Sequence, residues 1–361
     1  MSAQTSAFPL IFDGHNDTVM SLIRTGRSFL EHSEEGHVDL PRSRAGGLGG
    51  GFFAVYVVDP MPALEAGEDE EAAMQQAMAR YGDVSTMPEP MSQTYALGEA
   101  MKAAATLIRT ARTSNGEVQI VRTASELQHC LDNNIFAMLL HFEGAEPLDL
   151  EGDALEVFYA AGFRSLGLTW SRRNAYAQGV PFKFPSGPDL GPGLTEAGKN
   201  LVRQCNDLGV MVDLSHITEQ GFWDVAAIST KPLVATHSNA HHLSQTPRNL
   251  TDKQLDAVRD SNGIAGLNYH VGFLREDGEH SADTPISVMA NHVEYMVERA
   301  GIDCVALGSD FDGATMPAEL KDAAGLPKLM AELQGRGFDN EALTKIAHAN
   351  WVRVLRETWG E

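Results

Sequence analysis

Cysteine is scarce: Cys130, Cys205 and Cys304 are the only three in 361 residues, widely spaced and odd in number. A disulfide framework or zinc ribbon is thereby excluded, and the three read as buried, inert thiols. Basic residues are also in deficit. Lys plus Arg total 27 against 49 Asp plus Glu, a formal charge of -22, which repels the phosphates of nucleic acid and the anionic face of a membrane. No run of about 18 apolar residues occurs, and the opening MSAQTSAFPLIFDGHND has no basic segment ahead of a long apolar core. A cytoplasmic setting is expected, with neither nucleic acid nor membrane as partner. Internal repeats and Gly/Ser linkers are missing too, so one domain over 1–361 is expected.

What the chain does contain is a succession of short apolar runs: LIFDGHND, GGGFFAVYV, FAMLLHFEG, FRSLGLTW, GVMVDLSH, PLVATHSN, GIAGLNY and CVALGSDFDG. Most are separated by stretches of helical periodicity such as DALEVFYAAG, TEAGKNLVRQCNDLG, TDKQLDAVRDSNG and SVMANHVEYMVERAG. The last three are entered through Thr or Ser and several are closed by Gly, as helix caps require. Near-continuous apolar strands alternating with helices imply a parallel sheet buried on both faces. Eight of them predict an α/β fold, a closed (β/α)8 TIM barrel. The segment from Pro60 to Gly116 predicts a helical insertion between strands two and three, its acidic run at 68–71 forming the first turn of a helix. The ending NEALTKIAHANWVRVLRETWG predicts an amphipathic helix closing the barrel from outside.

Barrel enzymes place their chemistry at the carboxyl ends of the strands. There, the first run offers His15 and Asp17, the third Glu143, the fifth His216, the sixth His237 and the eighth Asp310. Each alone reads as a core or turn residue. Residues i and i+2 of an extended chain share a side, however, so His15 and Asp17 converge, and a barrel mouth gathers all six. Three imidazoles with two carboxylates suit zinc, or manganese or cobalt, whereas calcium or magnesium favours oxygen alone. Five ligands exceed the needs of one catalytic zinc. Two ions about 3.5 to 4 Å apart, bridged by a carboxylate, can hold a bridging hydroxide and polarise a carbonyl, and Glu143 is the candidate bridge.

The motifs DGHND, VDLPRSRAGGLGGGFFAVYV, the EG after the third strand, DLSH, THSNAHHLSQTPRNLTD and GSDFDG together resemble the renal (membrane) dipeptidase family of the amidohydrolase superfamily over nearly the full length. The resemblance implies two zinc ions, one held by His15 and Asp17, the other by His216 and His237, with Glu143 bridging. It implies that Asp310 handles the proton and that Arg248 grips the substrate's terminal carboxylate. Arg suits that task through two parallel hydrogen bonds. Dipeptides, including L-Xaa-D-Xaa, are the implied substrates, attacked by a metal-bridging hydroxide, and a homodimer is compatible with the likeness.

One departure stands out. The family commonly carries His after the fourth strand to bind substrate and steady the oxyanion, whereas this chain reads LTWSRRNA, with Trp170 there. Trp can stack and donate one N–H but accepts no proton. Arg172, Arg173 or Asn174 are candidates for a replacement donor. Trp170 keeps two alternatives open: an amidohydrolase of N-acyl-D-amino acids or cyclic amides, or packing at the rim alone. A phosphotriesterase-like lactonase would want a lysine that SLGLTW lacks, and a non-catalytic metal-binding barrel would have little use for Asp310. His241 and His242 read as loop residues, His141 as sharing the Glu143 face, and Tyr56 and His270 as candidates to line the pocket.

Overall fold

The computed structural model describes residues 8–59 and 76–360; the acidic run at 68–71 lies outside the described residues. Nine strands are present among them: β1 (Ile11–Asn16), β2 (Leu48–Val55), β3 (Val118–Ile120), β4 (Phe136–Glu143), β5 (Phe163–Gly167), β6 (Met211–Asp213), β7 (Val234–Ala235), β8 (Ile264–Leu267) and β9 (Val305–Leu307). Eight follow the expected runs and pair in parallel in the order β1-β2-β4-β5-β6-β7-β8-β9. The ring closes where Asn16 bridges Phe311 in parallel. Across that seam Asp17 N–H donates to Phe311 O at 2.8 Å and Asp310 N–H to His15 O at 2.9 Å. The fold is a (β/α)8 barrel.

The short β3 was not expected. It pairs with Phe136, Ala137 and Met138 of β4, on the side that β5 takes over from Leu140 onward. Its three residues, Val118–Ile120, are too few to declare a period. Helix Gln93–Thr113 supplies most of the described helical part of the insertion between β2 and the next barrel strand, after a 3-10 turn at Arg80–Gly82.

Strands β6 and β7 are shorter than their apolar runs because Asp213 interrupts the ladder. Its carboxylate accepts the N–H groups of Ser215 at 3.0 Å and Thr236 at 2.8 Å, so the chain stays satisfied while leaving strand geometry. Helix entry through Thr holds at Thr195, which caps Gly198 N–H, and at Thr251, which forms a capping box with Gln254. Entry through Ser287 does not: that helix starts one residue earlier, at Ile286, with Pro285 before it. Proline preceding the first turn fixes the entry where no side-chain cap is made.

Side chains alternate along β4. Phe136, Met138, Leu140 and Phe142 join the layer between strands and helices, while Ala137 and Leu139 face a second cluster with Phe12, Phe52, Met211, Val234, Ile264 and Ala306. That second cluster is the lower interior of the barrel. Trp351, from helix Asn350–Trp359, belongs to it, with its ring 4.9 Å from that of Phe52 and its indole N–H donating to Leu307 O at 3.1 Å. The terminal helix therefore does more than pack outside: it plugs the floor. A buried aromatic of this kind contributes about 3 to 5 kcal/mol. Gly14 makes room for it, since a Cβ there would meet Trp351 at 2.5 Å. With apolar side chains filling the floor, polar ones are left to the opposite mouth.

Candidate metal centre

Continuing up β4 on the inward face come His141 and then Glu143, as the alternation requires. Glu143 reaches the centre of the mouth. One of its oxygens, Oε1, lies 2.9 Å from His216 Nε2, 3.4 Å from His237 Nε2 and 3.6 Å from His15 Nε2. His15 Nε2 also lies 3.9 Å from Asp17 Oδ1. Two groups have ligand atoms mutually within 4.8 Å: His15, Glu143 and His237, and His15, Asp17 and Asp310. The residues named from the sequence thus converge, with His15 common to both groups.

Local backbone explains the aim of several. Asp17 occupies the N-cap position of helix Thr18–Thr25 yet makes no capping bond, and its Oδ1 is buried with no hydrogen-bond partner. Its carboxylate is thus directed at the mouth rather than at the helix. His216 and Asp310 sit at φ 67° and 63°, left-handed conformations that non-glycine residues adopt at a cost of about 1 to 3 kcal/mol and that gather at functional sites. Gly313 allows the β9 loop to lie against Asp17, for a Cβ there would be 1.8 Å from Asp17 Oδ2.

A hydrogen-bonded shell fixes the rings. The Thr236 hydroxyl donates to Asp213 Oδ2 at 2.6 Å, so at 2.8 Å from His237 Nδ1 it can only accept. His237 therefore carries its proton on Nδ1 and offers a lone pair from Nε2. His216 Nδ1 pairs with Ser171 Oγ at 2.8 Å. His141 pairs with Ser165 Oγ at 2.8 Å and approaches Asp213 Oδ2 at 3.7 Å, below the centre. Asn268 donates to Asp310 Oδ2 at 2.9 Å. Of these partners, only His141 was marked in the sequence. Thr236 and Asp213 carried a signal, being an alternate inward residue and the neighbour of a candidate ligand, but Ser, Thr and Asn are too common at strand ends to single out.

Burial dominates the electrostatics. Desolvation, then Asp310 and Asp312, push the Asp17 carboxyl well above its ordinary range; desolvation, then Asp17 and Asp310, do the same to Glu143. Asp310 is raised by burial, against opposing help from Asn268 and Arg248. Burial holds His15, His216 and His237 well below theirs. Neutral imidazoles with free lone pairs, facing carboxyls that cannot ionise together unaided, form a donor set that divalent cations would complete. Both ring nitrogens of His15 are buried without a hydrogen-bond partner, an arrangement costly in a core and expected of a ligand. The residues fit a metal centre.

Above the centre lies a cavity of about 640 Å³, floored by Asp17, Glu143, His216 and Asp310 and walled by Trp170, Phe182, Phe273 and His270. Arg248 is buried behind it, donating to His237 O at 3.1 Å, with Nε unpartnered and its guanidinium 5.3 Å over the Phe273 ring. Trp170 packs against Tyr56 and Tyr81, each at 4.7 Å. The expected replacement donors are spent elsewhere. Arg172 binds Val57 O, Asp59 and Glu146, Asn174 donates to Leu168 O, and Arg173 reaches Gln178. His241 bonds Ser186 O and His242 stacks on Tyr295, both off the centre. The thiols are buried, as expected. Among the described residues, no helix is long and apolar enough to cross a membrane.

The chain is similar to known proteins over most of its length. A Klebsiella pneumoniae protein described only as uncharacterized, in the pqqA 5' region, is 48% identical over 246 residues, 68% of this chain and 91% of its own. The structure of a Rhodobacter sphaeroides metallo peptidase liganded with a phosphinate mimic of the dipeptide L-Ala-D-Ala is similar at TM-score 0.91 and 42% identity, covering 98% of this chain and 100% of that one. A dipeptidase designated AC, a metallo peptidase of family M19, matches at TM-score 0.89 and 41% identity over 98% and 99%. The sequence model of the membrane dipeptidase family, peptidase family M19, matches residues 4–359, and this hydrolytic enzyme belongs to that family.

Proposed function

We propose that the chain is a dinuclear zinc dipeptidase that cleaves dipeptides, L-Xaa-D-Xaa among them. The observation that carries this reading is the single Glu143 oxygen within 3.6 Å of three imidazole nitrogens, the disposition of a bridging ligand. His15 and Asp17 would hold one ion, His216 and His237 the other. Bound there, the ions would polarise the scissile carbonyl and lower the pKa of a water nucleophile.

The chain's own residues do the rest. Asp310, half-buried, held by Asn268 at 2.9 Å and facing the cavity, is placed to take a proton from the nucleophile and return it to the departing nitrogen. Arg248, with Nε free, supplies a donor for the terminal carboxylate. The aromatic wall gives one side of the cavity an apolar lining. The Rhodobacter structure's L-Ala-D-Ala mimic makes L-D dipeptides the first substrates to test.

Metal analysis together with a panel of L-L and L-D dipeptides tests the reading. It expects zinc and release of free amino acids; metal-loaded protein that cleaves no dipeptide would sink the function. Trp170 favours a second reading, hydrolysis of N-acyl-D-amino acids or cyclic amides, and side-by-side turnover separates the two.

A further inference from the structure

The aromatic wall has a direction. Starting at Arg248, its guanidinium lies 5.3 Å over Phe273. Phe273 stacks with Phe182 at 6.1 Å and 17°, and Phe182 meets Trp170 edge-on at 5.3 Å. Two ring-to-ring steps therefore run along the cavity wall from Phe273, beneath the proposed carboxylate site, to Trp170. Trp170 ends 6.0 Å from the His216 ring. A dipeptide anchored by its carboxylate at Arg248, with its peptide bond above Glu143, would lay its carboxy-terminal residue along Phe273 and Phe182. Its amino-terminal side chain would then fall against Trp170.

Trp170 is also rigidly backed. Tyr56 and Tyr81 pack on it at 4.7 Å each, and the Arg172 guanidinium lies 5.1 Å from its ring. Arg172 is itself fixed by Val57 O at 2.7 Å and Asp59 at 3.0 Å. A platform held on several sides loses little freedom when a ligand covers it. Exposed Met78 completes this end of the cavity. Where the family commonly offers an imidazole, this chain offers an apolar face.

We propose that Trp170 selects dipeptides whose amino-terminal side chain is large and apolar, aromatic or branched aliphatic, over glycine and over Asp or Glu. This rests on the dipeptidase reading. An apolar side chain gains by leaving water against the ring, glycine covers nothing, and a carboxylate would be desolvated without a partner.

The test measures kcat/KM of the zinc-loaded enzyme on Gly-, Leu-, Phe- and Asp-D-Ala and their L-Ala counterparts. Leu and Phe should exceed Gly by about tenfold or more, the usual yield of an apolar subsite, with Asp poorest. Trp170→Ala should collapse the Phe-to-Gly ratio, chiefly through KM. Should that variant fail to fold, the more conservative Trp170→His, which keeps a ring but shrinks the apolar face, carries the same comparison. A flat wild-type profile, or variants that slow Phe and Gly substrates by one common factor, overturns the inference alone. No turnover of any dipeptide overturns the dipeptidase reading with it.

Discussion

Nε2 of His216 lies 3.1 Å from Nε2 of His237, and the tautomer imposed by Thr236 makes the second of these a lone pair. Two imidazole nitrogens at that distance need a hydrogen or a metal between them: the neutral His216 Nε2–H can donate to that lone pair, and a cation would take its place, with Glu143 beside both nitrogens. Glu143→Gln keeps the shape and removes the charge. Metal content should fall sharply and kcat/KM by about 10³-fold or more, because several kcal/mol of metal-supplied stabilisation goes with it. Elemental analysis beside activity checks this, and a fully metallated, active variant would contradict it.

Loading the centre should release protons. Asp17 and Glu143 are held well above their ordinary ranges by burial, and a metal accepts only the deprotonated forms. The sign follows directly: apparent affinity rises with pH, because fewer protons remain to be displaced. Calorimetric titration of the metal-free protein in buffers of different ionisation enthalpy reads the release, and a buffer-independent heat would refute it.

Asp310 touches Asn268 and the backbone of β1 but no imidazole within hydrogen-bond distance. Asp310→Asn should therefore spare most of the metal while lowering kcat by about 10²- to 10⁴-fold, the range for a positioned acid–base group. It should also remove one limb of the pH–rate profile. Equal kcat in wild type and variant would assign the proton to another group.

Thr236 is neither a ligand nor near substrate, so Thr236→Val isolates its orienting role. The substitution keeps the volume, frees the His237 ring and leaves Asp213 short of its 2.6 Å donor. Metal affinity should weaken by about 10- to 100-fold, as for other partners that orient a ligand. Competition with a chromogenic chelator measures it; unchanged affinity would mean that packing alone holds the ring.

The ligand-type residues were legible because strand ends in a parallel barrel fall at one mouth whatever lies between them, so spacing along the chain did not matter. His15, Asp17, Glu143, His216 and His237 could be collected from the ends of apolar runs alone. The orienting residues were not legible: Thr236, Ser171 and Asn268 act through side-chain distances across neighbouring strand ends, which spacing along the chain does not give. The same holds for Trp351. Its helix showed an apolar stripe, but entry into the barrel floor depends on the space left by Gly14 and Phe52 across the ring. Ser287 was misread as a cap because the proline two residues earlier already fixes the helix start.

His292 should give the fold an acid limit. Its Nδ1 accepts the Ala240 N–H at 3.2 Å and its Nε2–H donates to Leu274 O at 2.9 Å, which pins a neutral ring and ties helix Ile286–Ala300 to the loop that follows His237. Burial lowers its pKa to about 4 from 6.5. Because the folded value is depressed, the unfolded chain takes up the proton first. The contribution to stability is complete above about pH 6.5 and is lost as pH falls towards 4. Across that window the loss is on the order of 3 kcal/mol, of which about 2 kcal/mol falls between pH 7 and 5. Urea unfolding of metal-free wild type and His292→Gln at those two pH values isolates the term from the other buried imidazoles. The variant should start less stable and lose less on acidification; parallel losses in the two proteins would show that His292 titrates in the folded state as it does in the unfolded chain.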